Sequence, residues 1–285
     1  MQTKKLREML NQPGIIRAPG AFDAWSARLV QMAGFPAVYM TGYGVSASVL
    51  GAPDIGLMSM TEVAIQAKNM ASAINVPLIA DGDTGYGGVL NVIRTVQEYE
   101  RSGVAAIQLE DQVIPKRCGH MEGKELVSKK EMVSKVKAAV QARVSEDFII
   151  IARTDARATN GFDDALERAL AYSEAGADII FFEAPQSVDE MKKVAASINK
   201  PLLANMVEAG KTPFLTATEL EQMGYKLVIY PASTLYAATK SMQDLLQCLK
   251  DTDSTKDYVD RMVGFNDFYE MVGVEKARSL EKSFL

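Results

Sequence analysis

The chain has 285 residues, of which 48% are hydrophobic and 24% are charged, so it is long enough to bury a large apolar core. Its formal net charge of −5 and the lack of any run of Lys or Arg argue against nucleic acid or anionic lipid as its main partner, which favours a small molecule. The N-terminal residues lack the apolar segment of a secretion signal, and no stretch approaches the roughly 18 apolar residues of a membrane span, so we expect a soluble, cytoplasmic protein with no membrane partner.

Short apolar runs rich in β-branched residues recur along the chain and predict eight strands. They span residues 15–18, 37–41, 76–80, 105–109, 148–152, 177–182, 201–204 and 227–230. Segments with the 3.6-residue period of a helix separate them. We predict helices over residues 24–33, 60–73, 92–102, 129–142, 162–175, 188–198 and 217–223. Regular alternation of strand and helix is typical of a parallel sheet.

Eight strand–helix units without a linker or low-complexity segment favour a closed (β/α)8 barrel, in one domain that spans residues 1–285. An open, doubly wound sheet is the alternative, but no Gly-x-Gly-x-x-Gly motif follows the first strand. The segment from about residue 234 to 285 predicts more helices than the barrel needs. Such helices commonly pack against a neighbouring subunit, so we expect a homo-oligomer, with a homotetramer as its size.

Polar side chains follow the predicted strands at their carboxyl ends, where (β/α)8 barrels place their active sites. These residues are Thr41 at the end of the second strand with Gly42 and Tyr43 after it, Asp81 and Asp83 after the third, Glu110 after the fourth, Arg153 after the fifth, Glu183 after the sixth and Asn205 after the seventh. The carboxylates, the guanidinium group and the amide are therefore expected to converge on one mouth of the barrel.

Three of these carboxylates predict a metal site. Asp81, Asp83 and Glu110 supply hard oxygen ligands, which suit Mg²⁺ held by one direct carboxylate and several waters. The alternative for Asp83 alone is a turn residue, because Asp and Gly both favour turns. That alternative explains the three carboxylates together less well.

Cys118 lies among cations in residues 116–120 (KRCGH), which contain the only histidine of the chain, His120. Flanking positive charge stabilises a thiolate, so Cys118 is a candidate for proton transfer. A loop thiol with no chemical task is the alternative that the local sequence leaves open. No second Cys lies nearby, which argues against zinc. The other cysteine, Cys248, stands in an apolar run and is predicted to be a core residue.

Four motifs resemble, in order and spacing, those of the phosphoenolpyruvate mutase/isocitrate lyase superfamily. They are residues 81–88 (DGDTGYGG), 110–112 (EDQ), 116–120 (KRCGH) and 152–156 (ARTDA). The resemblance runs from about residue 19 to residue 269, and KRCGH resembles the signature of the lyases in the superfamily. It implies a Mg²⁺ cofactor, with Mn²⁺ as a substitute, and a small dicarboxylate substrate.

The resemblance also implies a role for each site residue. Asp83 would contact Mg²⁺ directly, Asp81 and Glu110 would hold its water ligands, and Asp54 would support them. Cys118 would exchange the proton, with Arg153 and His120 assisting, and Tyr39 is a candidate for the base that removes the hydroxyl proton. The substrate would contact Thr41, Gly42, Tyr43, Gly119, His120, Arg153, Glu183, Asn205 and Pro231.

The implied reaction is cleavage of a carbon–carbon bond in a 2-hydroxy dicarboxylate. Mg²⁺ would stabilise the 2-oxo acid product, and Cys118 would protonate the other fragment. Cys118 favours a lyase over the mutase and decarboxylase branches, and Pro231 stands where oxaloacetate hydrolases carry Ser. A non-catalytic binding protein would be expected to have lost Asp83, Cys118 or Arg153, and all three are present.

Among the lyases, we expect cleavage of 2,3-dimethylmalate to pyruvate and propionate. Phe265 stands where methylisocitrate lyases carry an Arg that can pair with a third carboxylate. Residues 205–213 (NMVEAGKTP) and Tyr43 are more similar to lyases of alkylated malates. Cleavage of 2-methylisocitrate to pyruvate and succinate is the alternative, since Lys211 or Arg261 could supply the missing charge.

Overall fold

A closed barrel of eight parallel strands forms the core of the chain, as seen in a computed structural model that describes residues 2–119 and 123–285. The strands are β1 (Ile16–Ala21), β2 (Val38–Met40), β3 (Leu78–Asp81), β4 (Ala106–Glu110), β5 (Ile149–Thr154), β6 (Ile179–Phe182), β7 (Leu202–Asn205) and β8 (Leu227–Tyr230). Each strand pairs with the next one along the chain, and β8 pairs with β1 to close the ring. The predicted strands and the predicted (β/α)8 fold are confirmed.

Helices separate the strands and continue beyond the last one. They are α1 (Gln2–Asn11), α2 (Ala24–Met32), α3 (Gly42–Leu50), α4 (Met60–Ala73), α5 (Val89–Arg101), α6 (Lys129–Ala142), α7 (Ala156–Thr159), α8 (Phe162–Glu174), α9 (Val188–Ser197), α10 (Ala217–Gln222), α11 (Ser233–Thr252), α12 (Phe265–Val272) and α13 (Val274–Lys282), with a 3₁₀ helix over Lys256–Arg261. The seven predicted helices are all present, with ends shifted by a few residues.

One helix near the mouth, α3, was not predicted. Its sequence contains Gly42, Gly44 and the β-branched Val45, all of which have low helix propensity. Thr41, which we placed in the second strand, instead caps the helix, and its Oγ1 accepts a hydrogen bond from Gly44 N at 3.3 Å. The helix forms with this cap despite the low propensity of the segment.

Side chains that alternate along each strand form two apolar layers. On β5, Ile149 and Ile151 belong to the cluster inside the barrel, whereas Ile150 packs in the layer between strands and helices. Helix α1 closes the amino-terminal end of the barrel, because its Leu6 is fully buried in the inner cluster. The amino-terminal part of the interior is thus filled by apolar side chains, and most of the polar site residues lie toward the opposite end.

The chain divides into two compact units, one that ends at Leu235 and one that spans Tyr236–Leu285. In the second unit the structure buries Tyr258, whose hydroxyl donates to the carbonyl of Ser241 at 3.1 Å. Cys248 is only half-buried, on a helix that buries none of its described residues, so the prediction of a core residue was wrong. Within residues 2–119 and 123–285, no helix combines the length and apolar composition that crossing a membrane requires.

Candidate active site

Short contacts link the carboxyl ends of neighbouring strands from β3 to β7. Glu110 N donates to the carbonyl of Asp83 at 2.9 Å. Arg153 Nη1 lies 3.5 Å from Glu110 Oε2, and Arg153 Nη2 lies 3.6 Å from Glu183 Oε1. Asn205 Nδ2 donates to Glu183 Oε2 at 3.2 Å. The structure therefore brings together the predicted residues of five strand ends.

A buried lysine lies between two of the predicted metal-site carboxylates. Lys116 Nζ is 2.6 Å from Asp54 Oδ1 and 2.8 Å from Asp83 Oδ1, and Lys116 is only 4% exposed. Sequence reasoning treated Lys116 only as a neighbour of Cys118. The position of Lys116 in the KRCGH motif was the one sequence signal that this lysine has a separate role.

The backbone after β3 adopts a left-handed conformation that directs Asp83 toward this lysine. Asp83 has a φ of +48° and Tyr86 a φ of +58°, and such values are uncommon for residues other than glycine. Asp83 N donates to Asp81 Oδ1 at 3.0 Å. Asp83 is thus a turn residue, as the alternative interpretation proposed, and the turn also places its carboxylate among the site carboxylates.

Burial raises the pKa values of three carboxylates at this side of the mouth, those of Asp81, Asp83 and Glu110. Lys116 opposes the increase at Asp81 and Asp83, while Arg153 and then Lys116 oppose it at Glu110. These positive charges do not cancel the effect of burial. At these three carboxylates, burial therefore outweighs the attraction of the nearby cations.

The residues present supply oxygen donors that suit a small divalent cation. Asp54, Asp81 and Asp83 are among the residues that line a cavity of about 10 Å³, which is just enough for one water-sized sphere. Glu110 Oε1 is buried without a hydrogen-bond partner among the described residues. In the part of the chain that the structure describes, no three His, Cys, Asp or Glu side chains converge to ligate an ion directly. Mg²⁺ does not need such a cage, since it binds through one or two carboxylates and waters.

Arg153 is held rigidly on the other side of the mouth. Its Nε and Nη2 donate to Asp155 Oδ2 and Oδ1, both at 2.9 Å, and its guanidinium carbon lies 5.0 Å from the centre of the Phe181 ring. Lys124 Nζ lies 3.0 Å from Asp155 Oδ1. Burial alone would raise the pKa of Asp155, but Arg153 and Lys124 outweigh it and lower that pKa to about 2. Asp155 therefore stays charged and fixes the guanidinium group.

Asp111 helps to hold Asp155 in place through a network of hydrogen bonds. Its Oδ1 accepts from Asp155 N at 2.9 Å, and its Oδ2 accepts from Thr154 Oγ1 and from Tyr172 Oη, both at 2.8 Å. Sequence reasoning assigned no role to Asp111, Lys124 or Asp155. The motifs EDQ and ARTDA contain two of them, but the contacts of Asp155 with Asp111 and Lys124 join residues that are distant in sequence.

The segment that carries Cys118 enters the mouth. Cys118 is half-buried, and a Cβ on the next residue, Gly119, would overlap the guanidinium group of Arg153 and the carboxylate of Glu183. The carbonyl of Gly119 accepts a hydrogen bond from Lys124 Nζ. A β-carbon at this position would therefore require Arg153 and Glu183 to shift. His120, predicted to act in catalysis and substrate binding, lies outside the described residues.

The remaining predicted pocket residues follow β2 and β8. Thr41 is buried, and Tyr43 lies half-buried in the first turn of α3. The backbone N–H groups at the start of a helix make a favourable site for a carboxylate. Pro231 lies beside Gly20 of β1, where a Cβ would overlap the Pro231 carbonyl.

Tyr39 has an environment that disfavours proton removal. Its hydroxyl donates to Gln108 Oε1 at 2.7 Å, and burial, followed by the charge of Asp81, raises its pKa well above the ordinary value. A base must give up this proton before it can accept another. Both features count against Tyr39 as the base. The assignment of that role to Tyr39 stays a prediction.

Comparison with known proteins identifies relatives that span nearly the whole chain. The model of the phosphoenolpyruvate phosphomutase family matches residues 6–250. A 2,3-dimethylmalate lyase of Eubacterium barkeri is 55% identical over 98% of this chain and 97% of its own. A 2-methylisocitrate lyase of Halalkalibacterium halodurans is 44% identical over 98% of this chain and 92% of its own.

Solved structures show the same fold. A crystal structure of 2,3-dimethylmalate lyase matches with a TM-score of 0.95 and 38% identity, and covers 99% of this chain and 95% of its own. A phosphonopyruvate hydrolase crystallised with oxalate and Mg²⁺ matches with a TM-score of 0.89 and 30% identity, and covers 99% of this chain and 98% of its own.

Proposed function

The chain belongs to the phosphoenolpyruvate mutase/isocitrate lyase superfamily, and we propose that it is a carbon–carbon lyase that cleaves 2,3-dimethylmalate to pyruvate and propionate. The observation that carries this proposal is the similarity over nearly the whole chain to the Eubacterium barkeri lyase. The arrangement at the mouth supports it. Several carboxylates, among them Asp83, lie around the single lysine Lys116, and the fixed guanidinium group of Arg153 lies on the other side of Glu110.

The metal site follows from the carboxylates described above. Asp83 would contact Mg²⁺ directly, Asp81 and Glu110 would hold its waters, and Asp54 would support them. The buried oxygen of Glu110 that lacks a partner among the described residues favours this assignment. When bound, the divalent cation supplies Lewis-acid stabilisation of the 2-oxo acid.

Arg153 and the start of α3 hold a substrate carboxylate. Because Asp155 occupies Nε and Nη2 of Arg153, the guanidinium plane is fixed and Nη1 remains on the side of Glu110. Gly42 and Tyr43 contribute the N–H groups of the first helical turn. Gly119, Glu183, Asn205 and Pro231 complete the proposed pocket, and the role of His120, which lies outside the described residues, stays a prediction.

Cleavage breaks the bond between C2 and C3 of the substrate. The hydroxyl proton passes to a base, the C2 oxygen becomes the carbonyl of pyruvate, and the electrons of the broken bond remain on the departing carboxylic acid fragment. The Cys118 thiol donates its proton to C3 of that fragment and releases propionate. The neighbouring Gly119 lies against Arg153 and Glu183, so Cys118 belongs to a segment that reaches the mouth.

2-Methylisocitrate lyase is the alternative, supported by the relative from Halalkalibacterium halodurans. Its substrate carries a third carboxylate, and burying that group without a cation is costly. Phe265 offers no charge; it is 73% exposed, with its ring 4.4 Å from that of Tyr269. Arg261 is engaged within its own unit, 3.8 Å from Asp244 and over the Tyr258 ring.

Side-by-side assays of the two substrates test the proposal. Both reactions release pyruvate, so one detection method gives comparable kcat/KM values, and the second product distinguishes propionate from succinate. We expect 2,3-dimethylmalate to be favoured by at least about 10-fold, because an unpaired buried carboxylate is strongly rejected. A preference for 2-methylisocitrate by an order of magnitude would replace this assignment with the alternative.

We further propose a homo-oligomer, with the tetramer as its expected size. In the barrel unit, a groove of about 640 Å³ is lined by Phe35, Phe214 and Tyr230 among others. In the C-terminal unit, Leu246 and Phe265 are exposed. Exposed apolar surface of this kind favours contact with a second copy of the chain. Sedimentation velocity should show the tetramer, and Leu246→Glu should shift it to smaller species; a wild-type monomer would contradict the proposal.

A further inference from the structure

Gln108 is a fully buried polar residue inside the barrel, in the middle of β4. It is 0% exposed and stands in register with Asp81 of β3. Sequence reasoning passed over it, since it lies within an apolar strand rather than at a strand end. A buried side-chain amide must satisfy its hydrogen bonds within the protein, so its partners define its role.

The amide of Gln108 connects Tyr39 to Asp81. Tyr39 Oη donates to Gln108 Oε1 at 2.7 Å, and Gln108 Nε2 donates to Asp81 Oδ1 at 3.3 Å. The opposite orientation of the amide would place its oxygen against the charged oxygen of Asp81, which is repulsive. The hydrogen bond from Tyr39 and the charge of Asp81 thus favour the same orientation of the Gln108 amide.

This arrangement distinguishes the two oxygens of Asp81. Oδ1 accepts from both Gln108 Nε2 and Asp83 N, at 3.3 and 3.0 Å. Oδ2 lies on the side of Gly42, where a Cβ would stand only 2.7 Å from it. Gly42 and Asp81 both line the small cavity of the proposed metal site. One oxygen is therefore committed to the protein, and the other is presented toward the cavity.

We propose that Gln108 is a positioning residue for the divalent cation. It fixes the Asp81 carboxylate so that Oδ2 accepts from a water of the cation, and Tyr39 fixes Gln108 in turn. The inference rests on the proposed metal site at Asp83. Partners of this kind orient the groups around an ion, and removing one commonly weakens metal binding about 10-fold to 100-fold.

Mn²⁺ binding to the purified chain, followed by electron paramagnetic resonance, tests this inference without an activity assay. Gln108→Met keeps the length of the side chain and removes both hydrogen bonds, and we expect it to raise the Kd for Mn²⁺ about 10-fold or more. Tyr39→Phe should raise the Kd by a smaller factor of about 3. In the Gln108→Met background, Tyr39→Phe should have no further effect, because the two residues act in series.

Two control variants separate positioning from packing. Ile151→Met alters the apolar packing inside the barrel at the residue in register with Gln108, and Tyr225→Phe removes another buried tyrosine hydroxyl, one that bonds to the Met191 carbonyl. Both should leave the Kd for Mn²⁺ within about 2-fold of wild type while they change the melting temperature. If Gln108→Met fails to fold, Tyr39→Phe with its Tyr225→Phe control decides the question.

The outcomes distinguish this inference from the proposed function. If Asp83→Ala abolishes Mn²⁺ binding but Gln108→Met or, where it does not fold, Tyr39→Phe leaves the Kd unchanged, the metal site stands and the role of Gln108 is overturned. If Asp83→Ala leaves Mn²⁺ binding intact, the proposed metal site itself is wrong, and with it the reason to assign Gln108 to that ion.

Discussion

The mouth of the barrel has two halves that are equally buried but differ in charge balance. The carboxylate half contains Asp54, Asp81 and Asp83 around a single ammonium group, that of Lys116. The guanidinium half contains Arg153 and Lys124 with Asp155 and Glu183, so that positive and negative groups are equal in number. Glu110 lies between the halves, 3.5 Å from Arg153. The carboxylate half therefore has an excess of negative charge, whereas the charges of the guanidinium half are balanced.

The pKa shifts of Asp81 and Asp83 are opposite in direction to that of Asp155. Burial raises the pKa values of Asp81 and Asp83, since one lysine does not offset it. At Asp155, two cations more than offset burial and lower the pKa to about 2. The direction of each shift thus reflects the balance between burial and the charges and hydrogen bonds nearby.

Asp83→Ala should break the carboxylate half alone. It removes the proposed direct ligand, so cleavage should fall at least about 10⁴-fold, because several kcal/mol of stabilisation is lost with the cation. Mn²⁺ titration and kcat/KM measurements check this, and the melting temperature should change little. Full activity in Asp83→Ala, or in wild type after exhaustive chelation, would contradict the metal assignment.

Cys118→Ser should remove a function that belongs to neither half. A hydroxyl is a much weaker acid than a thiol, so kcat should fall about 10²-fold to 10⁴-fold, the usual contribution of a general acid. Binding of Mn²⁺ and of oxalate should persist, as measured by titration calorimetry. Cys248→Ser is the matched control and should keep wild-type turnover. Near wild-type turnover in Cys118→Ser would exclude Cys118 from the reaction.

Asp155→Asn should break the guanidinium half alone. It leaves Arg153 and Lys124 buried without their shared carboxylate, which should lower the free energy of unfolding by about 3–5 kcal/mol. Urea denaturation measures this loss. Mn²⁺ affinity should stay near the wild-type value, since the carboxylate half is untouched. A large loss of Mn²⁺ affinity would show that the two halves are not independent.

The pH dependence of stability sharpens the contrast further. The pKa of Asp155 is about 2 in the folded chain, below its unfolded value of about 3.9, so its contribution is present above pH 4 and is lost as the pH falls toward 2. The difference in unfolding free energy between wild type and Asp155→Asn should therefore shrink by about 2 kcal/mol over that range. Urea denaturation from pH 5 downward checks it, and a difference that grows with acid would contradict the assignment.

The strands and the strand-end residues could be predicted from sequence because both depend on local patterns. Apolar runs give the strands, and the rule that active sites lie at strand ends selects Asp83, Glu110 and Arg153. Helix α3 was missed, since its glycines argue locally against a helix.

The counter-ions of the site could not be predicted in the same way. Lys116 bonds to Asp54, which is 62 residues distant, and Lys124 bonds to Asp155, which is 31 residues distant. Gln108 lies within an apolar strand and meets Tyr39 from a different part of the chain. Such pairings exist only after the barrel closes, so no local pattern reports them.

Gly42 carries a consequence for engineering the substrate range of the mouth. Any residue with a β-carbon at position 42 would crowd Asp81 Oδ2, whereas the next position, Tyr43, is half-buried in the first turn of α3. Saturation libraries in this segment should therefore hold position 42 constant and vary position 43. Almost every functional clone from a library that randomises both positions should retain glycine at 42, while position 43 should accept many side chains and change which alkyl groups the pocket admits.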